Sequence, residues 1–236
     1  MPLSHVRRGA AAIVLVALAV LLAPASAGAK ILELGQTTTQ PTPSCGGPED
    51  CKAVTRTTGY QVNVGSSRDL FVAPKDGRVV AWTAILGDPA RNERTFFEST
   101  YGGPARAGIS VLAQQEKGST LNEVTAKSAV RNLSDYFGER VQFPLAESLP
   151  IEKGQRVALT VPTWAPVFAE GFDNKTAWRA SRTKDSCNDF STQSAMLSLG
   201  AVERFQCFYT TVRITYSVTM ITEPHGPRNK KKPTDA

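Results

Sequence analysis

Carboxylates are the one side-chain type in this sequence whose number and placement could support catalysis. A polysaccharide hydrolase needs two of them, about 5 to 10 Å apart, one to protonate the leaving oxygen and one to act as base or nucleophile. No motif pairs any two of the loop acids, and most acids of a folded domain lie on its solvated surface. We therefore expect no catalytic residue and keep a carboxylate-pair polysaccharide hydrolase as an alternative. The acids in or near predicted loops are Glu98, Asp135, Glu139, Glu170, Asp173 and Asp185.

The two histidines, His5 and His225, stand near the ends of the chain, in a predicted export segment and in a basic tail. The folded body therefore lacks the histidine of a Ser–His or Cys–His nucleophile pair and of a histidine-ligated zinc site. Ser181 and Lys184 have the Ser-x-x-Lys spacing of penicillin-interacting enzymes, but the partner motifs Ser-Asp-Asn and Lys-Thr-Gly do not occur. No Gly-x-Ser-x-Gly elbow or phosphate-binding glycine loop occurs either. We expect a protein that is not an enzyme.

Two loops could present aromatic rings to a ligand. Residues 162–172 follow a predicted strand, and the prolines on both sides of Trp164 would hold that part of the loop rigid. Residues 94–104 end in a Tyr-Gly-Gly-Pro turn. Exposed rings in such loops would stack on the apolar face of a sugar, whereas rings that fold inward would cap one end of the core. The ligand-binding candidates are Trp164, Phe168, Phe172, Trp178 and Tyr101.

Three aspartates, Asp173, Asp185 and Asp189, make one region rich in oxygen ligands, with Asn174 and Asn188 beside them. Calcium is bound by carboxylate and amide oxygens of this kind. The spacing of these residues matches no defined calcium loop. We therefore expect no cofactor and no metal, with calcium at the three aspartates as the alternative.

All four cysteines, Cys45, Cys51, Cys187 and Cys207, lie beyond the predicted export segment. An even number of cysteines in an exported chain predicts two disulfides, for which three pairings exist. We favour the local pairing, Cys45 with Cys51 and Cys187 with Cys207. The first bond would close a small Gly-Gly-Pro loop, and the second would tie a polar loop to the last long strand. A four-cysteine metal site is the alternative, although no Cys-x-x-Cys pair occurs.

The N-terminal residues have the three parts of a signal peptide. Arg7 and Arg8 form the basic part, residues 10–23 form an apolar run, and small residues follow a proline. Signal peptidase requires small side chains at −3 and −1, so we expect cleavage after Ala27 or Ala29. A membrane anchor is the alternative, but a spanning helix needs about 20 apolar residues. No second long apolar run follows, so the mature chain is predicted to be secreted, extracellular or part of the cell envelope, with no membrane span.

The formal net charge of +6 is concentrated at the two ends of the chain. Arg7 and Arg8 belong to the predicted signal, and residues 225–236 form a basic tail. A nucleic-acid binder would show a basic stripe on the domain itself, so we expect no nucleic-acid partner. We expect the tail to be solvated, with weak attachment to an anionic wall or membrane surface as the alternative. The oligomeric state does not follow from the sequence.

Short apolar runs separated by Gly, Pro and Asp turns predict an all-β fold. We expect a two-sheet antiparallel sandwich, jelly-roll-like, with short helical turns at most near residues 92–98 and 133–137. Residues 78–86 are apolar at both parities, which is typical of a central strand buried on both faces, and Trp82 there is a predicted core residue.

The predicted organisation has four parts. A signal peptide occupies residues 1–29, and an extended Thr/Pro-rich arm with the first cysteine loop occupies residues 30–57. The β-sandwich domain occupies residues 58–223, and a basic disordered tail occupies residues 224–236.

The strand pattern is clearest near the C-terminus. Every second residue from Val212 to Met220 is apolar, and the residues between them are Arg, Thr or Ser. Alternation over this length predicts one half-buried antiparallel strand. Cys207 has the parity of the polar face, so it could reach a loop that lies over the sheet and contains Cys187.

A resemblance is carried by three stretches: Phe71-Val-Ala-Pro-Lys-Asp-Gly-Arg-Val-Val-Ala-Trp82, Leu149-Pro-Ile-Glu-Lys-Gly-Gln-Arg-Val-Ala-Leu159 and Val161-Pro-Thr-Trp-Ala-Pro166. Together they resemble uncharacterised exported β-sandwich proteins of GC-rich bacteria. The first two are also similar to the strand–turn–strand segments of jelly-roll and carbohydrate-binding-like sandwiches. The resemblance implies a fold and an exported location, but no catalytic residue.

These patterns together predict an exported non-enzymatic domain that binds a glycan or a protein at the cell surface. The alternatives are the carboxylate-pair hydrolase and a structural envelope protein with no ligand. A binding domain needs exposed aromatic rings in the loops, and a hydrolase needs two neighbouring acids in a cleft.

Overall fold

Strands carry most of the regular structure in the computed structural model, which describes residues 28–46, 50–189 and 191–224. The strands are β1 Ile31–Leu34, β2 Val54–Val64, β3 Ser67–Arg68, β4 Gly77–Ile85, β5 Arg106–Gln114, β6 Leu121–Lys127, β7 Arg131–Asn132, β8 Arg140–Ile151, β9 Arg156–Ala165, β10 Phe168–Ala169, β11 Ala177–Ala180, β12 Val202–Arg204, β13 Cys207–Thr210, β14 Arg213–Ile214 and β15 Tyr216–Thr222. The helix α1 spans Arg91–Tyr101, and 3₁₀ turns span Ser134–Tyr136 and Lys184–Ser186.

The predicted signal peptide up to residue 27 and the tail from residue 225 lie outside the described residues. Lys30–Glu223 form one compact unit. No helix in the described part of the chain is long and apolar enough to cross a membrane.

Two antiparallel sheets form the body of the domain. The small sheet has the order β1-β15-β4-β8, and the large sheet has the order β12-β6-β5-β9-β2-β11-β13, with β3 beside β2 and β7 beside β5. Apolar side chains from both sheets share one main core, in which Trp82 and Ile214 are fully buried. The predicted all-β two-sheet sandwich is therefore confirmed, as are the central position of β4 and the burial of Trp82.

The helix α1 is longer than the short turn that the sequence predicted. Its 11 residues begin where the Glu93 carboxylate accepts a hydrogen bond from the Ala90 backbone N–H, and they end at Gly102, whose φ of 89° favours glycine. Phe97, the buried residue of the helix, stacks on Trp164 with 4.8 Å between ring centroids. Packing against the sheet therefore extends a helix that local sequence alone does not favour.

The long C-terminal strand predicted from alternation over residues 212–220 is divided between β14 and β15, and the separate strand β13 precedes it. Thr211 has a φ of 65°, a left-handed conformation that a strand cannot continue through. The chain thus leaves the large sheet after β13 and enters the small sheet at β15. Cys207 is fully buried rather than on a polar face, because the break at Thr211 resets the alternation on which that prediction depended.

Both ends of the predicted arm belong to the sheets. Ile31–Leu34 pair with β15, opposite Ile221 to Val218, and β2 begins at Val54. The domain boundary expected between residues 57 and 58 therefore cuts through β2, and the true loop of the arm lies between β1 and β2. The predicted local pairing of the cysteines is confirmed, with bonds Cys45–Cys51 and Cys187–Cys207.

A second, smaller core lies on the outward face of the large sheet. Its sheet residues include Leu112 and Ala158, whose chain neighbours Val111, Val157 and Leu159 face the main core. The segment between β11 and β13, which we call the outer loop (residues 181–206), covers this cluster with Met196 and Phe205. The remaining members are Tyr60 and Val124.

Candidate functional site

The Trp164 ring, the leading sequence candidate for sugar stacking, faces the core. It has no exposed surface, and its indole Nε1–H donates to the backbone oxygen of Gly103 at 3.1 Å. Phe97 and Phe137 pack against it, with centroids at 4.8 and 5.6 Å. The inward-capping alternative therefore describes this residue, and a ring in this position does not stack on a ligand.

The other predicted aromatic residues are also largely enclosed. Trp178 is buried, and it stacks on Tyr209 at 4.8 Å. Tyr101 is half-buried beside Phe97, and Phe168 is half-buried edge-on to Trp178. Phe172 is half-buried and lines a surface cleft.

The calcium candidates have local hydrogen-bonding roles. Asp173 accepts hydrogen bonds from the Lys175 backbone N–H and the Thr176 hydroxyl. Asp189 accepts them from the Ser191 hydroxyl and backbone and from Thr192, and these bonds, that of the Ser191 hydroxyl foremost, lower the pKa of Asp189. Asp185 lies in a 3₁₀ turn. Among the described residues, no group of three or more His, Cys, Asp or Glu side chains is arranged to hold a metal.

The Ser-x-x-Lys pair is split between interior and surface. Ser181 is buried, and its hydroxyl accepts a hydrogen bond from the backbone N–H of Thr58. Lys184 is exposed. Because Ser181 is buried and its hydroxyl is hydrogen-bonded to β2, its role is structural: it attaches the outer loop to that strand.

A surface cleft beside the outer loop brings together residues that sequence reasoning did not select. It has a volume of about 640 Å³, and none of the described residues in its wall is acidic. We call it the basic aromatic cleft. It is lined by Val62, Asn63, Gly65, Ser66, Arg68, Asn174, Lys175, Arg179 and Phe208.

Two paired strands position the centre of this cleft. Arg179 on β11 lies directly opposite Phe208 on β13. The neighbours of both residues along the chain, such as Trp178 and Cys207, face the main core. Because side chains alternate along a strand, Arg179 and Phe208 project together from the outward face.

A tight hairpin forms one wall of the cleft. Strands β2 and β3 are joined by Gly65 and Ser66, and Asn63 pairs with Arg68 across the turn. Gly65 has a φ of 56°, which the two-residue turn requires and glycine adopts without steric cost. The Gly65 N–H donates to the Thr176 hydroxyl at 3.1 Å, which ties the hairpin to the loop that carries Asn174 and Lys175.

The Arg179 guanidinium lies over the Phe208 ring, with 4.8 Å between its central carbon and the ring centroid. One of its Nη1–H groups donates to the backbone oxygen of Phe205 at 3.1 Å, which leaves other donors of the fork for a ligand. Phe208 is 46% exposed, and Arg68 and Lys175 are exposed. The cleft thus offers an apolar ring face among three cations.

None of the six predicted loop acids lines the basic aromatic cleft. Glu170 forms an ion pair with Lys52 at 2.9 Å and lines a different cleft. The arrangement of the basic aromatic cleft therefore suits binding of a negatively charged group rather than acid–base catalysis by two carboxylates.

Sequence reasoning missed Arg179 and Phe208 because no motif joins them. They are brought together by the pairing of β11 with β13 across the outer loop. Phe208 precedes residues 212–220, over which alternation predicts a strand, and Arg179 lies in a segment that also contains Asp173 and Asp185.

Comparisons of this chain with protein-family models, with curated proteins and with solved structures found no significant match to any of them.

Proposed function

We propose that this protein is an exported, non-enzymatic domain that binds an acidic glycan at the cell surface through the basic aromatic cleft. The observation that carries the proposal is the exposed Phe208 ring beneath Arg179, flanked by Arg68 and Lys175 in a wall without acids. An aromatic ring stacks on the apolar face of a sugar, and cations bind its carboxylate, sulfate or phosphate groups.

The polar residues of the cleft support a sugar rather than an apolar ligand. Asn63, Asn174 and Ser66 lie in its wall, and amides and hydroxyls exchange hydrogen bonds with sugar hydroxyls. A volume of about 640 Å³ is within the usual range for small-ligand sites. Because the three cations are at least partly open to solvent, salt should screen the interaction and weaken binding.

The edge position of the cleft supports a polymeric ligand. Strand β13 is the last strand on one side of the large sheet, so the Phe208 ring lies at a margin of the sheet rather than in a closed pocket. A chain of sugars could therefore pass through the cleft without threading into the domain.

The test measures retention of the oxidised mature chain, residues 30–236, in native gels that contain an acidic polysaccharide such as polygalacturonate or a sulfated one. Gels with neutral dextran provide the comparison. Phe208→Ala removes the stacking ring, and Lys175→Gln removes one exposed cation. We expect each to weaken retention about 3- to 10-fold, since ring stacking and an exposed ion pair each contribute about 1 kcal/mol.

Matched controls change residues of the same type outside the cleft. Phe96, on α1, is 57% exposed, and Lys153 is exposed in a turn. Phe96→Ala and Lys153→Gln should be retained like the wild type. Equal retention of Phe208→Ala and wild type, or the absence of retention by every acidic polysaccharide, would refute the proposal.

A further inference from the structure

An arginine that forms no ion pair with any described residue is enclosed under the arm. Arg213 on β14 is only 5% exposed. Its Nη1 donates to the Thr37 hydroxyl at 2.8 Å, and its Nη2 donates to the Gly35 backbone oxygen at 3.1 Å. Its Nε–H has no hydrogen-bond partner among the described residues. Within the part of the chain that the structure describes, the charge is thus held by neutral groups alone.

This arrangement is costly unless a further group completes it. Burial of an arginine removes its hydration, and the lost hydration lowers the pKa of Arg213. The guanidinium nevertheless keeps its charge at neutral pH, because an arginine pKa starts above 12. An anion beside the guanidinium would accept the unused Nε–H and offset the buried charge.

A small pocket next to Arg213 has the composition of an anion site. It lies between the arm and the small sheet, and a second arginine, Arg140, is in its wall. Thr83, Thr215 and Ser217 contribute hydroxyls, and the described residues that line the pocket include no acid. The acid nearest to Arg213 in the neighbouring cleft wall, Glu170, is paired with Lys52.

The size of the pocket limits what it can hold. Its interior is about 30 Å³, which is closer to the space of one or two waters or a small ion than to that of a sugar ring. A cleft of about 460 Å³ lies on the other side of residues 37–42 and also reaches Arg213. A group on a larger molecule could therefore approach along the arm while only its charged end enters.

We propose that the pocket between Arg140 and Arg213 binds one tetrahedral oxyanion, a phosphate or sulfate group, over which the arm (residues 35–42) closes. Two planar guanidinium groups supply several N–H donors to such a group, and the hydroxyls of Thr83 and Ser217 can supply others. The site lies against the small sheet and does not depend on the basic aromatic cleft.

Titration calorimetry of residues 30–236 with sodium phosphate and with sodium sulfate, at constant ionic strength in chloride, tests the site. Arg140→Gln removes the exposed arginine of the pocket without altering the enclosed one. We expect at least one of the two oxyanions to bind the wild type, and Arg140→Gln to weaken that binding at least about 5-fold, because a charge-assisted hydrogen bond is lost. Arg131 is an exposed arginine outside the pocket, and the Arg131→Gln variant should bind the oxyanion like the wild type.

Hydrogen exchange provides the second readout. Bound oxyanion should slow amide exchange in residues 35–42 of the wild type and not in Arg140→Gln. Binding unchanged by Arg140→Gln, no binding of either anion above chloride, or an unprotected arm would overturn the proposal.

Competition distinguishes a free ion from a pendant group. If a sulfated polysaccharide displaces the inorganic ion from the Phe208→Ala protein, the ligand of the pocket is a sulfate group on a larger molecule. If it does not displace the ion, the ligand is the free ion. Because Phe208→Ala weakens the basic aromatic cleft and changes no residue of the pocket between Arg140 and Arg213, failure of either proposal can be recognised separately.

Discussion

Tyr216 places an ionisable hydroxyl in the middle of the main core. Its ring stacks on Phe71 with centroids 4.3 Å apart, and its hydroxyl donates to the Val157 backbone oxygen at 2.9 Å. Enclosure disfavours the charged phenolate, so desolvation raises the pKa of Tyr216 well above the usual 10.0. The unfolded chain therefore loses this proton at a lower pH than the folded protein.

The raised pKa of Tyr216 predicts a loss of stability at alkaline pH. The contribution of Tyr216 to the free energy of unfolding is fully present below about pH 10. Above that pH it declines by up to about 1.4 kcal/mol per pH unit, until the pH reaches the pKa of Tyr216 in the folded protein. Urea unfolding at pH 8 and pH 11 should show that the free energy of unfolding falls less between these pH values for Tyr216→Phe than for the wild type. The variant should also lose about 1 kcal/mol at pH 8, because the Val157 oxygen loses its donor. An equal alkaline drop in both proteins would contradict this assignment.

Phe208 and Trp164 have opposite exposures for reasons that lie in their neighbours. Trp164 pairs with Thr55 on β2 and faces Phe97 of α1, whereas Phe208 is on an edge strand with Arg179 as its cross-strand partner. The prolines beside Trp164 predicted a rigid loop, but they carry no information on which side of the sheet would be covered. Local sequence therefore does not predict whether a single aromatic ring is exposed or buried.

The outer loop is the element that covers the second core and borders the basic aromatic cleft. Cys187–Cys207 spans 20 positions and fastens the loop to β13. The Tyr209 hydroxyl adds a link, since it accepts from Arg182 at 2.9 Å and donates to the Cys187 backbone oxygen at 2.7 Å. Met196 and Phe205 are held against the sheet by these connections.

Removal of the Cys187–Cys207 bond should therefore reduce stability more than removal of Cys45–Cys51. Loop-closure entropy predicts a loss of about 3 kcal/mol for the larger loop and about 2 kcal/mol for the smaller one. Double alanine variants at each pair, compared by urea unfolding, measure both losses. The Cys187 and Cys207 double variant should also bind a hydrophobic dye as the second core opens. A greater loss from the Cys45 pair would show that the outer loop is held mainly by its hydrogen bonds.

At the scale of the whole molecule, two disulfides are compatible with an extracellular protein. The described fold begins beside the predicted cleavage region. The Lys30 N–H donates to the Thr222 hydroxyl at 2.9 Å, and β1 follows at Ile31. Cleavage after Ala27 or Ala29 would leave every strand intact.

Expression of the whole chain in a secreting host should give a product that begins at Gly28 or Lys30. Intact mass spectrometry of the exported protein, before and after reduction, measures both the N-terminus and the two disulfides. The product should unfold at the same temperature as purified residues 30–236, because β1 is complete in both. An uncleaved chain retained in the membrane fraction would favour the anchor alternative instead.

Alternation, turn residues and cysteine spacing were enough to predict the all-β sandwich, the central position of β4 and both disulfides. These features depend on neighbours in sequence, since burial on one face requires a period of two and short cysteine loops close easily. Alternation failed where the backbone at Thr211 changed direction, because a single left-handed residue does not alter the pattern of apolar side chains. It also failed at Arg213 and Thr215, which lie on the predicted polar face but are buried.

The candidate sites, in contrast, were decided by tertiary structure alone. Arg179 lies opposite Phe208 through the pairing of β11 with β13, and Arg140 and Arg213 line one pocket together with residues of the arm. Whether an aromatic or charged side chain is open or enclosed depends on what packs over it, and that surface is contributed by residues far away in sequence. The sequence by itself thus determined the type of fold, and the packing of remote segments determined where a ligand could bind.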